Sequence, residues 1–222
     1  MKNATDYAMF FSPDNLAVPF NKCNDLNKRY HSQALQDLFV LSCLDGKQNG
    51  TFLELGCDHP FNISNTYLLE SQFNWKGVSV DINPQSKTLF NESGRTTQVL
   101  IQDATKLDFD NIISRLNTYH IDYLSLDLEP ASITLQSLQS IPFNKINFSV
   151  ITFEHDAYRF GDEARIPSRK LLQEKGYRLI CENVDRFEDW YVNPEYVDLE
   201  RIKAFVCTGN HNSAADIVFK QT

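Results

Sequence analysis

The chain has no Cys-x-x-Cys pair, and its five cysteines (Cys23, Cys43, Cys57, Cys181 and Cys207) are odd in number and widely spread. Neither a disulfide framework nor a structural zinc site is suggested by that spacing. No apolar run approaches the roughly 18–20 residues that a membrane helix needs. The first residues, Met1 to Asn15, lack the apolar core of a secretory signal. No dense basic run is present either: lysine plus arginine number 21 against 29 acids, a formal charge of −8. A general nucleic-acid binder needs a basic stripe to neutralise phosphates, so that partner is disfavoured. Internal repeats and low-complexity linkers are also missing. These absences point to a reducing, cytoplasmic setting with no membrane partner, and they leave the oligomeric state open.

What remains is a chain of 222 residues, 42% hydrophobic and 12% aromatic, long enough to bury a two-sided sheet. Short apolar and β-branched runs recur, each stopping at an acid: Thr51–Leu55 holds Glu54, Gly77–Val80 runs into Asp81, and Gln98–Gln102 into Asp103. Ile121–Leu126 then reaches Asp127, and Phe148–Phe153 reaches Glu154. The acids are 27, 22, 24 and 27 residues apart, which is room for a strand, a helix and a return. The runs are nearly continuous, as in a parallel sheet buried on both faces.

Helices are expected between them: one capped by Ser32 with Leu35, Leu38, Phe39 and Ser42 on one face, and one capped by Ser64 or Asn65. Phe109–Leu116, Ile133–Leu138 and Ile166–Lys175 supply three more, the last stopped by Gly176. Tyr177–Cys181 and Asp189–Val192 read as an antiparallel hairpin at one sheet edge. Residues 1–30 are expected to form a cap or lid, and residues 31–222 a single domain. In the tail, Ala204–Cys207 and Ala215–Phe219 are strand candidates.

In an open α/β sheet, ligands bind beyond the carboxyl ends of the strands, where the strand order reverses. Five acids at five strand ends would therefore converge on one rim. Gly56 would let the backbone approach a ligand closely. Asp81 could accept from both hydroxyls of a ribose, and Asp103, next to Ala104, from an adenine amino group. The alternative is that these acids cap helices. Taken together they describe a nucleoside site. The loop lacks Gly-x-Gly-x-x-Gly, which argues against a dinucleotide-binding dehydrogenase.

Several segments make the reading more specific. They are Ser32-Gln33 with Gln36-Asp37, Phe52 to Pro60, Ser64 to Glu70, Trp75 to Pro84, Ile121 to Glu129, Glu154-His155 and Asn193-Pro194. Across residues 30–198 the chain resembles the FkbM family of methyltransferases. The resemblance implies a Rossmann-like methyltransferase fold, a mostly parallel doubly wound sheet with a C-terminal antiparallel hairpin. It also implies S-adenosylmethionine as donor, with Gln33, Glu54, Gly56, Asp58, Asp81, Asp103 and Ala104 around it. Pro130 stands where a glycine often follows the acidic element of that family.

Methyl transfer needs an aligned acceptor and, for a hydroxyl, help in removing its proton. Asp127, Glu154 and His155 are the candidate catalytic residues, with His155 the natural base near neutral pH. A divalent cation such as Mg, held by Asp127, Glu129 and Glu154, is a second option. A structural strand end, with Glu154 and His155 bonded to Arg159 or Arg165, is a third. His59 is expected to shape the donor loop, and His31, His120 and His211 to be surface or capping residues. The expected reaction is O-methylation of a sugar, glycan or other small-molecule hydroxyl. N-methylation of a peptide or amine, and a catalytically silent binding protein of the same fold, are the alternatives.

Overall fold

The computed structural model describes residues 9–20, 29–205, 207 and 212–220. Cys23, His211 and most of the expected N-terminal cap lie outside them. Two short strands, β1 (Met9–Phe10) and β2 (Arg29–Tyr30), pair antiparallel. After helix α1 (Gln36–Cys43) the main sheet begins with β3 (Thr51–Leu55). It continues through α2 (Tyr67–Phe73), β4 (Lys76–Asp81), α3 (Pro84–Ser93), β5 (Gln98–Ile101), α4 (Phe109–Leu116) and β6 (His120–Leu126). Then come α5 (Ala131–Ser140), β7 (Asn147–Glu154), the short α6 (Ala157–Phe160), α7 (Arg165–Glu174), β8 (Arg178–Val184), β9 (Glu188–Val192) and α8 (Ala214–Val218).

The seven strands run in the order β5-β4-β3-β6-β7-β9-β8. The first five are parallel; β9 is antiparallel to both β7 and β8. The expected hairpin is therefore present, with β8 at the edge and β9 inserted between it and β7. Alternation along each strand divides the core in two. Phe52, Tyr123, Val150 and Trp190 face α1 and α2, whereas Leu53, Leu124, Ile151 and Tyr191 face the layer of α4, α5 and α7. Strands buried on both faces are what the apolar runs require.

Local chemistry fixes the helix ends. The Asp108 carboxylate accepts from the backbone N–H groups of Asp110 and Asn111 at the start of α4, and Asn117 takes a left-handed conformation at its end. Helix α3 was not foreseen, although Asn83 accepts from the Gln85 N–H and Pro84 occupies the first turn, which together form a start signal.

Three expectations need correction. Helix α1 starts at Gln36 and not behind a Ser32 cap: Leu35 is left-handed, and Ser32 Oγ donates instead to Asp37 (2.6 Å). Neither tail segment is a strand: Lys203–Phe205 form a 3-10 turn with Cys207 making only a bridge to Cys181, and residues 214–218 are helical with only Phe219 making a bridge, to Leu16. Phe11, Leu16, Val18 and Phe20 are buried in the core on the α1 side, because their side chains complete its apolar surface.

Candidate active site

The strand order reverses between β3 and β6, and there the carboxyl ends of the strands enclose a cavity of about 650 Å³. That lies within the range of about 300–1,000 Å³ usual for small-molecule sites. Its wall holds Gln33, Glu54, Gly56, Asp58, Asp81, Asp103 and Ala104, so every residue expected around the donor is gathered there. The carboxylates Asp127, Glu129 and Glu154, expected on the acceptor side, line it as well, but His155 does not.

Gly56 is the hinge of this geometry. Its φ is +91°, and a Cβ there would lie 1.7 Å from the Asp127 carbonyl oxygen. Only glycine allows the β3 and β6 ends to come this close while leaving the cradle open. The adjoining ladder is continuous, with Gly56 N–H donating to Val80 O (2.9 Å) and Asp127 N–H to Leu55 O (3.0 Å).

Around this cradle the acids differ in state. Glu54 is buried and accepts from Thr66 Oγ1 (3.0 Å) and Ser79 Oγ (2.5 Å). Burial pushes its carboxyl up to about 6, against the pull of Arg95 and the two hydroxyls. Asp81 lines the cavity and accepts the N–H groups of Asp58 (2.9 Å) and Asn83 (2.8 Å), one on each carboxylate oxygen. Asp103 caps a short 3-10 turn; the Thr105 hydroxyl and the Lys106 ammonium (2.9 Å) hold it down at about 2. The capping reading and the cavity-lining reading of Asp103 are thus both realised.

At the opposite end, Asp127 and Glu154 share a hydrogen bond, and burial beside one another raises both carboxyls. Burial pushes the Glu154 carboxyl up to about 11, with Asp127, Glu188 and Asp156 all adding negative charge around it. Glu188 lies opposite Glu154 on β9 and is itself pushed up to about 8 by burial.

Two acceptor-side expectations are corrected here. His155 is fully buried: its Nδ1 accepts from the Ala157 N–H (3.1 Å), and its Nε2 lies 3.5 Å from Asp189 Oδ1, away from the cavity. Asp189 is in turn clamped by Arg169, 2.7 Å and 2.8 Å from its two oxygens. The alternation at the end of β7 is the reason, since Glu154 and His155 point to opposite faces. Nor do Asp127, Glu129 and Glu154 form a metal cage. Glu129 is exposed and paired with Arg159 (2.7 Å), and no group of three His, Cys, Asp or Glu with ligand geometry occurs among the described residues. His31 is buried and not a surface residue, whereas His59 shapes the loop as expected, its Nδ1 accepting from the Phe61 and Asn62 N–H groups (3.1 Å each).

Sequence reasoning missed Arg95. Its side chain is buried, donates to Glu70 (2.7 Å), Pro60 O (2.9 Å), Ser64 Oγ (3.1 Å) and Thr66 Oγ1 (2.9 Å), and lies over the Phe90 ring. One guanidinium thereby fastens the loop after β3, from Pro60 to Thr66, to the body of the sheet. The signal was present only as an isolated arginine between helix and strand. We expect Arg95→Lys, which keeps the charge but loses the fork, to cost about 2 kcal/mol of stability by urea unfolding. An unchanged midpoint would show that the loop is held by other means.

No protein-family model matches the chain, and no curated protein matches it in sequence. Its architecture does have solved counterparts. A protein assigned as an rRNA methylase from Clostridium thermocellum superposes with a TM-score of 0.51 at 12% identity, over 73% of this chain and 96% of that one. The chain has the Rossmann-like methyltransferase fold. Fibrillarin of Aeropyrum pernix, solved with S-adenosylmethionine, gives a TM-score of 0.47 at 14% identity, covering 80% of this chain and 87% of its own. At such identities the likeness is one of fold. No helix among the described residues is long and apolar enough to cross a membrane.

Proposed function

We propose that the chain is an S-adenosylmethionine-dependent methyltransferase acting on a small-molecule or glycan acceptor. The observation that supports this best is the cavity at the β3/β6 reversal, where Gly56 lets the two strand ends meet at a spacing that a Cβ would force apart and Asp81 stands at the end of the next strand. When bound, S-adenosylmethionine supplies an electrophilic methyl group together with its own leaving group. Asp81 would take the ribose hydroxyls, Asp103 and Ala104 the adenine edge, and Glu54, Gly56, Asp58 and Gln33 the remaining part of the donor. The Asp127–Glu154 pair would receive the acceptor's proton, in place of the buried His155.

A nucleic-acid acceptor forms no part of this proposal, given a formal charge of −8. The resemblance to the FkbM family implies a hydroxyl acceptor. Donor binding is the first test, by calorimetry with S-adenosylhomocysteine. Asp81→Ala is expected to weaken it by about a hundredfold, since charged hydrogen bonds contribute about 1.5–3 kcal/mol each. Equal affinity in the variant, or tight NAD binding without any response to the adenosyl compound, would refute the reading.

A further inference from the structure

The acceptor end of the cavity is built from acceptors. Asp127, Glu154 and Asp156 line it, and Glu188 stands behind Glu154 across the ladder. A neutral residue turns this cluster into a site. Asn65 is 4% exposed and lines the same wall. Its Nδ2 donates to Ser125 Oγ (3.0 Å) and towards Asp127 Oδ2 (3.4 Å), which fixes the amide so that Oδ1 is left without a hydrogen-bond partner. A buried amide oxygen with no donor is costly unless a ligand supplies one. Arg159, the cation lining this end, is engaged by Glu129 (2.7 Å) and Asp156 (3.4 Å), with its side chain turned partly to solvent. Among the described residues, Arg159 is the only cation lining the cavity, and its guanidinium is already engaged by two acids.

We infer that the methyl acceptor is an amine, which enters as its ammonium form and is held by Asp127, Glu154 and Asn65 Oδ1. An ammonium group brings three N–H donors to these three acceptors, whereas a hydroxyl brings one. It also offsets the mutual repulsion of the acids, which a neutral group cannot do. This inference rests on the methyltransferase reading above. In the reaction, one N–H proton passes to the Asp127 carboxylate and the freed nitrogen lone pair forms a bond to the methyl carbon. The carbon–sulfur bond breaks with its electron pair on sulfur, so the products are an N-methyl ammonium and a thioether.

The test uses the full chain saturated with S-adenosylhomocysteine. The smallest probe is methylammonium chloride at tens of millimolar, with sodium chloride as the salt control. Methylammonium is expected to raise the thermal midpoint by about 2 °C over the control, and Glu154→Gln or Asp127→Asn to abolish that rise. Both variants should keep their S-adenosylhomocysteine affinity within about threefold, which also shows that they fold. In a labelled-donor screen over matched pairs differing by NH2 for OH, methyl incorporation should favour the amine by about tenfold or more. No rise with methylammonium, or incorporation into the hydroxyl twins instead, overturns the inference while leaving donor binding intact. Loss of S-adenosylhomocysteine affinity in Asp127→Asn would assign these acids to the donor's own ammonium and overturn it too. Failure of the unaltered chain to bind S-adenosylhomocysteine would overturn the underlying methyltransferase reading as well.

Discussion

Gly56→Ala is expected to remove donor binding and to lower the thermal midpoint by roughly 10 °C, at about 2–4 °C per kcal/mol for a chain of this size. Two penalties add. The alanine must adopt a φ of +91°, which L side chains rarely take, and its Cβ would lie 1.7 Å from the Asp127 carbonyl oxygen. Relief requires the β3 and β6 ends to separate, which breaks the bond from Asp127 N–H to Leu55 O and widens the crevice where strand order reverses. A combined loss of about 3–5 kcal/mol is consistent with a backbone clash at a fixed position. Thermal unfolding and S-adenosylhomocysteine calorimetry check the two halves separately. A stable variant that binds normally would mean that the loop has room to move and that the cradle is not built on this glycine.

The second large effect concerns proton transfer. Asp127→Asn is expected to reduce turnover by roughly 10²–10⁴-fold, the range for a lost acid–base group, with donor affinity nearly intact. Glu154→Gln should fall in the same range, because the two carboxyls act as one proton-holding unit and their losses will not add. His155→Gln provides the contrast. That side chain bonds Ala157 N–H and approaches Asp189 within the core, so it should lower the thermal midpoint while leaving the turnover of the folded enzyme close to normal. Steady-state rates with labelled donor decide between these outcomes. A collapse in His155→Gln alone would restore the histidine as base.

That Glu54, Asp81 and Asp103 meet at one cavity was legible because it rests on local, ordered signals. Glu54 lies within its apolar run, Asp81 and Asp103 follow theirs, and a parallel sheet brings the ends of successive runs to one rim. The acceptor half was legible in residue type but not in direction. Glu154 and His155 are adjacent, and whichever faces the cavity, the other must face away. The sequence offers no means of choosing, since a buried histidine beside an aspartate and a catalytic one use the same two letters. Glu129 was misread for a related reason: its partner Arg159 lies 30 residues on and meets it only through the fold. Arg95 and Asn65 act through contacts with loops and strands distant in sequence, so neither stands out in a linear reading.

The place of β9 between β7 and β8 has a consequence for how the chain is made. β8 leaves the ribosome first, yet its neighbour in the sheet is β9, and β7 pairs with β9 and not with β8. Until Glu188–Val192 has emerged, the backbone of β7 from Val150 to Glu154 has one side without a partner, on a strand buried on both faces in the finished molecule. An unprotected apolar edge is a template for pairing with another chain. A nascent chain stalled before Glu188 therefore presents that edge of β7 unpaired.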